Sequence, residues 1–139
     1  MLKNIIYKKK IYIILLILCS WILMTAHEPA DMKVKYSAIT GALGITVYHR
    51  VNSTSVHYIN RLEIFLNRQG IELEDKMIIS QEFFSQPIRN EQRARYTVND
   101  LQPGDVLTII AYCNLFGELK EKLTITEANW QELSEIMDD

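Results

Sequence analysis

Histidine and cysteine are scarce in this sequence, with three and two copies, and their placement is what suggests chemistry. Cys113 ends the apolar run Val106-Leu107-Thr108-Ile109-Ile110-Ala111-Tyr112 and opens the short turn Asn114-Leu115-Phe116-Gly117. A buried strand running into a glycine-containing turn is a way to present a thiolate to a metal, while an unpaired cysteine in the same setting also serves as a small core residue. His49 closes one strand-like segment and His57 opens the next, with the polar loop Arg50 to Val56 between them. A thiolate with imidazoles suits iron, copper or zinc. A blue-copper arrangement would want a histidine shortly after the cysteine, and none follows Cys113. A Cys-His hydrolase would need an oxyanion hole, for which there is no motif.

The N-terminus is read apart from the fold. Lys8-Lys9-Lys10 precedes the apolar run Ile11 to Met24 and the small residue Ala26, the order of an export signal. Cleavage after Ala26 makes residues 1–26 a signal peptide and places the protein in a periplasmic or other extracytoplasmic compartment. Left uncleaved, the same segment is an N-terminal membrane anchor. Cleavage would also make His27 the first residue, with its amine and imidazole together able to chelate copper. Residues 1–26 hold four lysines and no acid, so the remainder has 11 basic against 17 acidic residues, a charge of −6. That balance argues against nucleic acid as a partner, because phosphate backbones are bound by clustered Lys and Arg. Cys19 falls inside the signal, which leaves Cys113 without an intramolecular partner in residues 27–139.

Residues 27–139 suffice for one domain with a modest core. Alternation and β-branched content predict strands at Lys33–Ile39, Ile45–Arg50, His57–Leu66, Met77–Phe83, Arg93–Val98, Val106–Cys113 and Leu119–Ile125. About seven short strands joined by turns such as Asn67-Arg68-Gln69-Gly70 and Gln102-Pro103-Gly104-Asp105 make an all-β chain, an antiparallel β-sandwich. The spacing of Trp130, Leu133, Ile136 and Met137 predicts a short amphipathic helix at the C-terminus.

Three segments resemble the desulfoferrodoxin and neelaredoxin group of superoxide reductases: Ala111 to Gly117, His57-Tyr58-Ile59 with Leu62-Glu63 following, and Leu101-Gln102-Pro103-Gly104-Asp105-Val106-Leu107. The resemblance implies an immunoglobulin-like sandwich over residues 27–139, with a mononuclear non-haem iron held by an axial cysteine and equatorial histidines. It makes Cys113 the thiolate ligand, His57 and His49 the ligands around the loop, and His27 the early histidine. It implies one-electron reduction of superoxide to hydrogen peroxide, with an external electron donor, since no rubredoxin-like cysteine cluster accompanies the domain. Phe116 stands where the family has a further histidine, so at most three imidazoles join the cysteine, and zinc becomes an alternative to iron. The family's anion-attracting lysine has no counterpart beside His27; Arg50, next to His49, is read first as a solvated loop charge, with substitution for that lysine as the alternative. A homo-oligomer is left open, and a membrane is a partner only if residues 1–26 stay attached. The reading from a different class is a metal-free β-sandwich acting as a binding module, with Phe116 an apolar plug in the former site.

Overall fold

The computed structural model describes residues 27–68 and 76–130. Seven strands account for most of them: β1 (Asp31–Ser37), β2 (Ala42–Tyr48), β3 (Ile59–Asn67), β4 (Lys76–Glu82), β5 (Glu91–Thr97), β6 (Val106–Cys113) and β7 (Glu118–Thr124). They form two antiparallel sheets, β1-β2-β5 and β4-β3-β6-β7, which make a sandwich of the immunoglobulin type with β4 paired to β3 rather than to β5. Every predicted strand is present, with boundaries shifted by no more than three residues. Where the C-terminal helix was expected to start there is a 3-10 turn, Glu127–Trp130. Residues 131–139 of that expected helix, residues 1–26 and the Gln69-Gly70 part of one predicted turn lie outside the described residues.

The sheets face each other because each central strand alternates. Along β2, Leu43, Ile45 and Val47 are buried while Ala42, Gly44, Thr46 and Tyr48 are only partly so. The same period places Ile59, Leu62 and Ile64 of β3 and Leu107, Ile109 and Ala111 of β6 on the facing side, with a register shift after Ile59 restoring the phase. Met32 and Tyr36 of β1, with Val98, Leu101 and Ile125, complete this core. A fully buried Leu or Ile contributes roughly 1.5–3 kcal/mol relative to exposure, so the cluster is what holds the sheets together. The edge strands β4 and β7 bury little. At one open side, the Tyr96 hydroxyl of β5 donates to Gln81 Oε1 of β4 at 2.6 Å and bridges the two sheets.

The Gln102–Asp105 turn is as expected. Asp105 N–H donates to the Gln102 carbonyl at 3.0 Å, and Gly104 at φ 96° occupies the position that a type II turn with proline before it reserves for glycine. This turn lies before β6. At the opposite end of β6, the connections 49–58, 83–90 and 114–117 meet the segment 27–30, and there the candidate ligands gather.

Candidate metal centre

His49 is the first residue past β2. Its backbone N–H donates to the Asn90 carbonyl at 2.9 Å, and Val51 N–H donates to the Arg89 carbonyl at 2.7 Å, so the chain leaving β2 stays zipped to the approach of β5. The ring is wholly buried. Its Nδ1 meets Gln86 Oε1 at 3.1 Å, and its Nε2 lies 3.4 Å from the His27 carbonyl.

His57 sits two residues before β3 rather than inside it. The loop closes on itself first, with His57 N–H donating to the Ser53 carbonyl at 3.0 Å. That turn is why the predicted strand start at His57 moves to Ile59. Asn114 then fixes the ring's position from both sides: its Oδ1 accepts from Tyr58 N–H at 2.9 Å, its Nδ2 donates to the Val56 carbonyl at 2.9 Å, and its own N–H donates to the Tyr58 carbonyl at 3.0 Å. His57 is 6% exposed, and its Nε2 is 3.1 Å from Cys113 Sγ.

His27 lies on the outside, on a segment whose Ala30 N–H donates to the Tyr48 carbonyl at 2.9 Å. Its Nδ1 is 2.9 Å from the Glu28 carbonyl and its Nε2 2.8 Å from the Arg50 carbonyl. Both ring nitrogens thus face backbone carbonyl oxygens, and a nitrogen that binds a metal must give up its contact. The segment passes directly over the Cys113 turn. Gly117, at φ 83°, makes this possible, since a Cβ there would come within 2.6 Å of Glu28 Cβ.

Cys113 ends β6 and is 9% exposed. Its N–H donates to the Gly117 carbonyl at 3.0 Å, closing the turn, and the N–H groups of Leu115 and Phe116 both point at Sγ from 3.5 Å. Backbone donors turned toward sulfur compensate negative charge on it, as a thiolate ligand requires.

The structure thus brings all four predicted residues to one place. Ligating atoms of His27, His49 and His57 lie within 4.8 Å of one another, a group that could hold a metal ion. The three rings pack edge to face, with centroids 5.1, 5.0 and 4.6 Å apart. Cys113 joins the group through His57. His57 Nε2 and Cys113 Sγ, 3.1 Å apart, are close enough to share one ion at about 2.1 Å from nitrogen and about 2.3 Å from sulfur. Nitrogens across such an ion are at most about 4.2 Å apart, so modest ring rotations would close the histidine cluster around it.

The electrostatics favour ligation as well. Burial holds His49 below the ordinary histidine value, with its bond to Gln86 opposing the shift. His57 is lowered too, by burial first and then by the neighbouring His49 and His27. Both rings are therefore neutral near pH 7, the form in which an imidazole binds metal.

Beside the cluster opens a cavity of about 520 Å³, lined by His27, Arg50, Asn52, Ser53, Val56, His57 and Leu115. Arg50, an exposed residue, is part of that lining. Phe116 does not act as a plug: it is 64% exposed, and it reaches the site through its backbone N–H, because the turn spends that residue's amide on Cys113 Sγ. Sequence reasoning missed Gln86, which contacts a ligand ring yet lies in a segment without periodicity. Asn114 and Gly117 were visible as parts of the turn, but their roles in placing His57 and His27 were not.

Among solved structures, superoxide reductase from Giardia intestinalis superposes with a TM-score of 0.55 at 21% identity, covering 71% of this chain and 100% of that one. A variant of superoxide reductase (neelaredoxin) from Ignicoccus hospitalis gives 0.53 at 17% identity, over 71% and 81% of the two chains. Neelaredoxin from Archaeoglobus fulgidus, in the reduced form, gives 0.51 at 18% identity, over 72% and 89%. The chain has the superoxide reductase fold. No protein-family model matches the sequence, and no curated protein matches it.

Proposed function

We propose that this chain is an exported mononuclear non-haem iron protein that reduces superoxide, with His27, His49, His57 and Cys113 as the protein ligands. The observation that carries the reading is the convergence of the three imidazoles with Cys113 Sγ placed 3.1 Å from His57 Nε2. The shared fold supports it, since the solved structures named above are superoxide reductases.

The residues present fit the metal. Two buried neutral imidazoles, a third on the exposed 27–30 segment, and a thiolate met by backbone N–H groups make a nitrogen and sulfur donor set suited to iron, with zinc the competing occupant. When bound, ferrous iron supplies one electron, so that superoxide and two protons leave as hydrogen peroxide and the metal becomes ferric. As a ligand, Cys113 would donate electron density to the metal, which favours that transfer. Arg50 and the open cavity attract the anion, and solvent entering through the same cavity supplies the protons. An external reductant would have to supply the electron for each turnover. Phe116 leaves one imidazole fewer than the resemblance implies, so the cavity side of the site has more room.

Residues 1–26 act in this reading as a signal peptide or anchor for the domain at 27–139, and superoxide would be met outside the cytoplasm. Among the described residues no helix is long and apolar enough to cross a membrane.

The test is anaerobic reconstitution of residues 27–139 with ferrous iron, then metal analysis, oxidation and a visible spectrum. One iron per chain and a thiolate-to-iron charge-transfer band, lost in Cys113→Ser, are expected. Added superoxide should yield hydrogen peroxide without dioxygen. A chain that takes up no stoichiometric metal, and whose thermal stability does not move on adding iron or zinc, sinks the proposal and leaves a metal-free binding module.

A further inference from the structure

Gln86 belongs to no ligand set, and it lies on the connection between β4 and β5 amid exposed neighbours. Yet it is 1% exposed. An amide side chain buried this deeply is costly unless its polar atoms are matched. Here they are matched in a specific way. Nε2 donates both of its hydrogens, one to the His49 carbonyl at 2.8 Å and one to the Ile88 carbonyl at 2.7 Å. Oε1 faces His49 Nδ1 at 3.1 Å. The backbone N–H of Gln86 donates to the Thr54 carbonyl at 2.9 Å, which ties the residue to the loop between the two histidines.

These contacts settle the orientation of the amide. Rotating it by half a turn would set Oε1 against two carbonyl oxygens and lose both donated bonds. The oxygen is therefore the atom presented to His49, and an oxygen can only accept. Nδ1 must carry the ring hydrogen. A neutral imidazole has one, so Nε2 is left with its lone pair. The competing arrangement would have Nε2–H donate to the His27 carbonyl at 3.4 Å, which is long for such a bond, and would leave Nδ1 and Oε1 as two buried lone pairs face to face.

We infer that Gln86 is a positioning residue: by accepting from Nδ1 while holding the backbone carbonyl of the same histidine, it fixes the tautomer and direction of His49 so that Nε2 is the free donor atom. A partner on the far nitrogen of a ligating imidazole sets the ring's orientation and raises its basicity. The consequence for metal rests on the proposed function, but the tautomer does not.

The experiment uses metal-free protein labelled with 15N at histidine, above pH 7, where long-range proton–nitrogen spectra distinguish Nδ1–H from Nε2–H. His49 is expected as the Nδ1–H tautomer in the native protein. An Nε2–H tautomer there overturns the inference, and this measurement needs no variant to fold. Gln86→Met, which keeps the length and removes both polar atoms, should shift His49 toward Nε2–H and lower ferrous iron affinity about 10- to 100-fold. Gln86→Glu still accepts from Nδ1 and should retain the native tautomer. A folded Gln86→Met protein with unchanged tautomer and unchanged affinity also overturns it. If the native protein shows Nδ1–H, Gln86→Met shifts it, and neither takes up iron, the positioning role stands and the metal reading fails.

Discussion

His49 and His57 are built into the body of the sandwich, whereas His27 is laid over it. The first two are 0% and 6% exposed, each with a dedicated polar partner: Gln86 on the His49 ring, Asn114 on the residues either side of His57. His27 is exposed and held by backbone carbonyls alone. Buried rings bring neutrality and fixed direction, at the cost of desolvation. An exposed ring brings neither, but it borders the cavity through which an ion or anion would enter. A site divided this way has a buried half that defines the metal position and an exposed half that completes it.

If that division is correct, the histidines are unequal. His57→Ala and His49→Ala should each lower ferrous iron affinity by more than about 100-fold, beyond the loss typical of an outer-shell partner. His27→Ala should cost only about 10-fold and lower the stability of the metal-free protein by no more than about 1.5 kcal/mol, the worth of one hydrogen bond to a backbone carbonyl. Chelator competition and differential scanning calorimetry measure both quantities. Equal losses at His27 and His57 would abolish the distinction.

The strap that carries His27 can be displaced without touching any ligand. Gly117→Ala places a Cβ 2.6 Å from Glu28 Cβ at a backbone with φ 83°. The left-handed conformation alone costs a residue with a side chain about 1–2 kcal/mol, and the clash pushes the 27–30 segment away. A drop in stability of that order is expected, together with weaker metal binding that matches His27→Ala. Combining the two substitutions should then add little further loss of affinity. Additive losses would show that Gly117 acts on Cys113 instead.

The buried half should show itself in the pH dependence of the metal-free protein. Folded-state values for His49 and His57 lie below the unfolded value of 6.5. Between those limits the unfolded chain binds more protons than the folded one, so stability rises with pH. The contribution of the neutral rings is fully present above about pH 6.5 and is lost as pH falls toward the depressed folded values. Denaturant unfolding from about pH 7.5 down to about pH 5 should follow this course, and His49→Leu should flatten it. A stability independent of pH across that range would mean the rings are less buried than their contacts imply.

How much of this could be read in the sequence follows from the range of the interactions. The run from Val106 to Cys113 is apolar, bounded by a Pro-Gly turn and an Asn-to-Gly turn, and β6 has those limits. Local patterning sufficed there. At His57 it did not, because the turn anchored on Ser53 delays β3 to Ile59, and the chain shows polar residues followed by alternation either way. The four candidate ligands were found by residue type and by resemblance. Gln86 was not, since it is separated from His49 by 37 residues and nothing in Phe83 to Asn90 marks a buried amide. Only the pairing of β2 with β5 brings that connection against the end of β2. Phe116 was legible as a position without an imidazole, but its side chain was misplaced, because the residue's backbone and not its ring meets the sulfur.

The smallest expected effect concerns that residue. Phe116 is 64% exposed, so Phe116→His removes little buried surface and should shift the melting temperature of the metal-free protein by no more than the equivalent of about 0.5 kcal/mol. Its backbone N–H remains on Cys113 Sγ, because the turn is closed by the Cys113 N–H to Gly117 carbonyl bond and not by the ring. The new imidazole starts from solvent, beside a cavity wall that includes Leu115, and must give up some freedom to reach the metal. A gain in iron affinity of several-fold, up to about one order of magnitude or 1.4 kcal/mol, is the expected balance. That gain should persist in His27→Ala if the added ring joins the buried half of the site. Should it vanish there, the new ring depends on His27 and the exposed half extends across the Cys113 turn; should it never arise, the turn aims position 116 away from the metal and the room beside it is left to the anion.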